Sequence, residues 1–155
     1  GLVGSYHIIY NTWLRERVLK ESSLSHYNAM NVLSMHALVG AYKPEGYEWL
    51  DELRQVLTGN VEFACRYIQD HFEGIEVSKP EGTYMLFLDC TKWCEKHGKM
   101  IDELQRAGVE VGVIWQDGRP FHGPCHIRMN LALPFSRVVA RMVLVTYSIW
   151  AGTSG

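Results

Sequence analysis

Hydrophobic and polar positions follow two different periods along this chain, and the change of period divides it. Residues 5–10 (Ser-Tyr-His-Ile-Ile-Tyr) are rich in β-formers and predict a strand. From Thr12 the pattern turns helical, with Thr12 as the expected N-cap ahead of Trp13, Leu14 and Val18. A second helix is predicted over residues 25–42, where Met30, Leu33, Ala37, Leu38 and Ala41 recur at steps of three and four. Lys43-Pro44-Glu45-Gly46 ends it, because proline cannot continue a helix and glycine frees the turn. The third and longest helix carries one apolar stripe through Trp49, Leu50, Leu53, Val56, Leu57, Val61, Ala64, Tyr67, Ile68 and Phe72, with Glu52, Arg54, Glu62, Arg66 and Gln69 mostly off it. Gly59 inside it costs about 1 kcal/mol relative to Ala and would permit a kink.

After Gly74 the period becomes strand-like. Short strands are predicted at residues 75–77 and 83–88, separated by Ser78-Lys79-Pro80-Glu81-Gly82. A helix over 99–107 ends on Gly108, a strand follows at 109–114, and a loop at 115–124 holds Asp117-Gly118 and Gly123-Pro124. Residues 126–133 form the next strand, and a last helix begins after Pro134. That order predicts an α/β chain with an α+β layer: helices packed on one face of a largely antiparallel sheet. The segment before Trp49 belongs to a different sheet, with the long helix as connector.

Composition narrows the classes. A chain of 155 residues with 47% hydrophobic and 21% charged positions is globular and long enough to bury a core. A net charge of −2 gives no electrostatic footprint for nucleic acid or an anionic membrane. No apolar run reaches the roughly 18–20 residues that span a bilayer. The opening Gly1-Leu2-Val3-Gly4-Ser5 has neither a basic n-region nor an initiator Met, so it is expected to be neither a signal peptide nor a natural N-terminus. The irregularly spaced Cys65, Cys90, Cys94 and Cys125 suit reduced thiols of a cytoplasmic protein. Cys90, Cys94 and His97 match no common zinc spacing, so no metal is expected.

Four segments, in order, resemble one family. Gly1-Leu2-Val3-Gly4-Ser5-Tyr6 followed by a β run looks like the stretch after the cofactor lysine of fold-type I pyridoxal-phosphate enzymes. Gly46-Tyr47-Glu48-Trp49-Leu50-Asp51-Glu52-Leu53, then Asn60, resembles the helix joining their large and small domains. Pro80-Glu81-Gly82-Thr83-Tyr84-Met85-Leu86-Phe87-Leu88-Asp89 and His126-Ile127-Arg128-Met129-Asn130-Leu131-Ala132 resemble two small-domain strands. Many of these enzymes have a phosphate-binding arginine where Val3 stands. An uncharged residue there resembles the cystathionine β-lyase, or MalY/PatB-type, C–S lyase branch of the class I/II aminotransferase superfamily.

The resemblance implies the C-terminal part of a pyridoxal-phosphate-dependent transferase-like fold. Residues 1–45 would be the end of the large cofactor-binding domain, 46–139 the small domain, and 140–155 an atypical, nearly uncharged tail. It assigns Arg128 to the α-carboxylate of an amino-acid substrate. Alternation sets Ile127, Met129 and Leu131 on one face and Arg128, Asn130 and Ala132 on the other, where a guanidinium can meet a carboxylate with two parallel hydrogen bonds. Spacing alone favours an ordinary solvated arginine at 128, and it is the resemblance that reverses this. Thr83, Tyr84, Asn130 and Trp115 are candidate pocket residues, and Tyr84 could instead be a core aromatic. His122 lies in the loop ahead of the arginine strand. Ser22, Ser23 and Ser25 resemble a segment that approaches the neighbouring subunit, or Ser23 or Ser25 simply caps a helix.

No catalytic residue is expected within the chain, because the cofactor lysine would precede Gly1. Lys20, Lys43, Lys79, Lys92, Lys96 and Lys99 lack its context. The chain alone is therefore expected to be inactive. The longer protein would be a cytoplasmic homodimer that uses pyridoxal 5'-phosphate and releases a thiol from a cystathionine-like amino acid by β-elimination. An aminotransferase of the same fold and a non-catalytic interaction module remain as alternatives.

Overall fold

The computed structural model describes residues 4–25 and 30–151. Val3 and the final residues 152–155 lie outside them. The chain divides into two compact units, Gly1–Asp51 and Glu52–Gly155.

In the first unit α1 (Thr12–Ser25) and α2 (Val32–Ala41) precede the opening turns of α3 (Pro44–His71). Residues 5–10 are not a strand. Their propensity is right, but among the described residues no other strand pairs with them, and a lone extended segment has no ladder for its peptide groups. Asn11, one residue before the expected cap, starts α1: its Oδ1 accepts from the Leu14 amide at 2.9 Å. The helix expected over 25–42 starts later, where Asn31 Oδ1 accepts from the Ser34 amide at 2.8 Å. Ser22, Ser23 and Ser25 cap no helix start. Their hydroxyls donate back to the carbonyls of Leu19, Lys20 and Ser22 in the last turns of α1. Pro44 ends one helix and also begins the next, taking the first position, where its missing N–H costs nothing.

The second unit holds the remainder of α3, which continues as helix through Gly59. Beyond it come β1 (Glu76–Val77), β2 (Met85–Asp89), α4 (Thr91–His97), α5 (Ile101–Glu110), β3 (Gln116–Asp117), a 3-10 turn (Arg119–Phe121), β4 (His126–Asn130) and α6 (Phe135–Ala151). The strands form one sheet in the order β1-β2-β4-β3, and each pairing is antiparallel. Leu86 and Leu88 of β2, with Ile127 and Met129 of β4, point inward. They join Val61, Ala64 and Ile68 of α3, Trp93 of α4, Leu104 of α5, and Val138, Met142 and Val145 of α6 in one core.

The α+β layer predicted from the sequence is therefore present, with local corrections. The expected strand at 109–114 is the end of α5 and the turn after it. Gly108 sits within that helix, and Gly112, with φ of +80°, reverses the chain. The nearly uncharged run at 143–149 belongs to α6, with Val145 and Ile149 buried and Val143, Leu144 and Tyr147 facing out. Asn60 is fully buried in α3 and donates through Nδ2 to the carbonyls of Leu131 (2.9 Å) and Leu133 (2.8 Å). These two bonds fix the chain where it leaves β4, so the strand has a defined end.

Candidate functional site

Side chains of β2 and β4 that do not enter the core stand on the outer face of the sheet. The register sets Phe87 opposite Arg128, Met85 opposite Asn130 and Asp89 opposite His126, while Gln116 of β3 flanks Arg128 on its other side. Gly123 lies tight against this face: a Cβ there would come within 2.5 Å of the Phe87 ring and 2.6 Å of His126. His126 stacks on Phe87 with centroids 4.5 Å apart, and its Nε2 lies 3.9 Å from an Asp89 oxygen. Burial raises the Asp89 pKa, but hydrogen bonds from the Thr91 hydroxyl and amide outweigh it and hold the carboxyl below its ordinary range.

Arg128 is half-buried and held in place by neutral groups. Its Nη1 donates to Gln116 Oε1 at 2.8 Å, and its guanidinium carbon lies 3.8 Å over the Phe121 ring. Such stacking contributes about 0.5–1 kcal/mol at an exposed site and fixes the plane of the fork. The Phe121 shelf is itself anchored. Arg119 Nε donates to Asp117 Oδ2 (2.8 Å), and Nη2 and Nη1 reach Asp102 of α5 at 2.8 and 3.3 Å. The Arg119 amide bonded to Asp117 Oδ1, with the guanidinium beside it, keeps the Asp117 carboxyl below its usual range. The two nearby carboxylates are thus committed to Arg119. Among the described residues none forms an ion pair with Arg128, and its Nε and Nη2 have no partner. Those two N–H groups point in parallel, the geometry that a carboxylate accepts.

The other candidates are not gathered around Arg128. Asn130 shares its face, two residues along the strand, and its Oδ1 accepts from the Ala132 amide at 2.8 Å. Thr83 Oγ1 accepts from the Met85 amide at 3.2 Å. Tyr84 opens on a separate cleft of about 450 Å³, together with Leu57, Thr58 and Val61 of α3. Trp115 borders an apolar cleft of about 280 Å³ beside Met142 and Val145 of α6, and its ring crosses Gly108, where a Cβ would come within 3.0 Å. His122 is exposed in the left-handed conformation (φ 61°) and closes the 3-10 turn. Sequence reasoning missed Gln116, Phe121 and Arg119. The Asp117-Gly118-Arg119-Pro120 turn was the available signal, but the register that brings it to Arg128 is a long-range property.

Among the described residues of this face, the Nε and Nη2 edge of Arg128 has the geometry that a pair of carboxylate oxygens accepts. Lys79, Lys92 and Lys96 are surface groups paired with Glu62, Glu76 and Glu73. Among the described residues no helix is long and apolar enough to cross a membrane.

No family model matches the chain. Protein MalY of Escherichia coli (strain K12) is 26% identical over 143 residues, covering 89% of this chain and 35% of that protein. The chain thus spans about a third of the length of the curated relative it matches. A pyridoxal-phosphate-bound putative aminotransferase from Clostridium difficile 630 superposes with a TM-score of 0.78 at 26% identity, over 92% of this chain and 36% of that one. The pyridoxal-phosphate-bound C–S lyase from Staphylococcus hominis gives a TM-score of 0.76 at 25% identity, with the same coverage of 92% and 36%. Cystalysin from Treponema denticola shares the fold, with a TM-score of 0.78 at 22% identity, over 93% of this chain and 36% of that one.

Proposed function

We propose, for a chain that is the C-terminal portion of a fold-type I pyridoxal-phosphate protein in the MalY and C–S lyase branch, that Arg128 receives the α-carboxylate of an amino-acid substrate. The observation that carries this reading is a guanidinium oriented by Gln116 and Phe121, with its Nε and Nη2 edge left without a partner among the described residues. Holding the carboxylate there fixes the orientation of the bonds at the substrate's α-carbon, which is where positioning contributes to rate. Asn130 adds a donor on the same face, because its Oδ1 is used in the turn and its Nδ2 has no partner among the described residues. Pyridoxal phosphate, bound elsewhere in the longer protein, supplies the electron sink that acidifies the α-C–H bond. Residues 1–45 belong in this reading to the cofactor-binding domain and 46–139 to the small domain.

The reaction in this reading is β-elimination at a carbon–sulfur bond. The likeness to a putative aminotransferase keeps amino-group transfer as the second reading, since Arg128 serves both. Assay of the full-length protein with cystathionine distinguishes them. Thiol release without any amino acceptor is the expected result. Keto-acid formation that depends on an added acceptor, with no thiol, replaces lyase by aminotransferase, and neither product removes the enzyme reading.

Arg128→Lys keeps the charge and loses the fork. It is expected to lower kcat/KM by roughly 10- to 100-fold, since a charge-assisted hydrogen bond contributes about 1.5–3 kcal/mol. The same loss on an amine that has no α-carboxylate would assign Arg128 a structural role instead.

A further inference from the structure

Three of the four cysteines lie together, at the end of the sheet where β2 runs into α4. The Cys90 amide donates to the Cys125 carbonyl at 2.9 Å, and the Cys90 carbonyl accepts from the Cys94 amide at 2.9 Å. One residue's peptide groups thus hold the backbones of the other two. The result is a contact between the thiols of Cys94 and Cys125, Sγ to Sγ at 3.3 Å. Cys90 is fully buried, and its own sulfur points to the Leu88 carbonyl at 3.8 Å. Among the described residues no group of three or more His, Cys, Asp or Glu side chains is disposed to hold a metal ion.

We propose that Cys94 and Cys125 are a redox-active dithiol, the site at which the protein reduces a low-molecular-weight disulfide and forms an intramolecular bridge. Closing the bond from 3.3 Å needs an approach of roughly 1.2 Å, since a disulfide is about 2.05 Å long. That movement is within the reach of a small side-chain rotation. The two thiols differ in access. Cys125 is partly exposed on the loop after Pro124, whereas Cys94 is buried in α4. Burial, then the hydrogen bond with the neighbouring Cys125 thiol, raise the Cys94 pKa, so access and burial both disfavour Cys94 as the first sulfur to react. Cys125 is therefore the sulfur that meets the oxidant.

As a thiolate, Cys125 attacks one sulfur of the small disulfide. A Cys125–S–S–R bond forms, the original S–S bond breaks, and the departing thiolate takes up the proton that Cys125 lost. Cys94 then attacks Cys125 Sγ, the Cys94–Cys125 bond forms, the bond to R breaks, and the Cys94 proton leaves with the second thiol. Two cysteine thiols are oxidised and one small disulfide is reduced to two thiols. In a reducing compartment such a bond is transient and suits sensing rather than structural reinforcement. It would tie α4 to Cys125, three residues before Arg128, in the segment that holds Gly123 against Phe87.

The test uses the purified full chain incubated with glutathione disulfide, quenched in acid, alkylated and mapped by mass spectrometry. The expected product is a Cys94–Cys125 bridge, reversed by dithiothreitol and formed at least ~10-fold faster in the folded chain than in urea, because the folded backbone preorganises the sulfurs. In Cys94→Ser the glutathione should remain on Cys125, and in Cys125→Ser neither bridge nor adduct should form on Cys94. A bridge to Cys90 or Cys65, modification of Cys94 with Cys125 left free, or no reaction of the folded chain would overturn the proposal. Should a serine variant fail to fold by circular dichroism, the mapping on the unsubstituted chain decides alone.

Discussion

The two units differ in what their apolar residues touch. Among the described residues of the first unit only Ser34 is buried, while Leu33 (70%), Val32 (63%), Val39 (59%) and Met35 (50%) of α2 are all exposed. The second unit encloses residues from four helices and two strands in one core, with Ala64, Ile68, Leu104 and Met142 at zero exposure. A helix that is apolar all round is the kind that other elements enclose. The residues of α2 thus carry the composition of an interior without one, whereas those of the second unit build their own. Composition alone does not make a core; complementary faces within reach do.

The largest effect that tests this contrast is Leu104→Ala against Leu33→Ala. Leu104 is fully buried, and its truncation is expected to cost roughly 2–5 kcal/mol, the range for a leucine lost from a packed core. Leu33→Ala should change the stability of the chain by less than about 0.5 kcal/mol. Urea denaturation of both variants checks it. Equal losses would break the comparison. A large cost for Leu33→Ala confined to the full-length protein would sharpen it, by showing that α2 is enclosed there.

Asn60→Ala comes next. It removes the Asn60 Nδ2 bonds to both carbonyls: Leu131 keeps the Leu133 amide at 2.8 Å, whereas the Leu133 carbonyl loses its side-chain donor at the end of β4. An unsatisfied buried group costs about 1–3 kcal/mol, so a loss of that order is expected. Amide exchange should also quicken at 128–133 before it does in α5. Uniform acceleration across the second unit would mean that Asn60 contributes general stability and does not fix this strand.

These residues also show what the sequence could and could not disclose. The strand patterns at 83–88 and 126–133 and the single stripe of α3 were enough to predict helices over an antiparallel sheet, because each pattern is local. They also put Arg128 on the face away from Ile127 and Met129, as observed. α4 escaped notice because seven residues hold too few turns for a period, even though Trp93 and Cys94 are buried in it. The β-branched residues from Val109 suggested a strand, but α5 continues to Glu110 and the turn at Gly112 wins. Residues 5–10 have strand propensity and no ladder. Around Arg128, the contributions of Gln116 and Phe121 depend on the β3–β4 register and on the clamp formed by Arg119, and neither is written in a local pattern.

The smallest expected effect concerns pH, and it too separates the units. Glu62, Glu73, Asp89 and Asp117 all lie in the second unit, and each has its pKa lowered in the folded chain. Hydrogen bonds and charge from Lys79 act on Glu62, and those from Lys96 on Glu73. For a carboxylate whose folded pKa is depressed, the stabilising contribution is complete above the unfolded value and lost as pH falls through the folded one. Stability should therefore hold from about pH 7 down to about pH 5 and decline below the ordinary value of 4.5 for the glutamates and 3.8 for the aspartates. Because the two lysine pairs are exposed, added salt should flatten the decline, and Lys79→Met should flatten it as well, because it removes the hydrogen bond and charge that lower the Glu62 pKa. Urea midpoints measured across that range, at low and high salt, provide the check. If the acid limb were unchanged in Lys79→Met, the exposed Lys79–Glu62 pair would contribute nothing measurable, and the acid sensitivity of the second unit would rest on Asp89 and Asp117, whose partners are hydrogen-bond donors within its own turns.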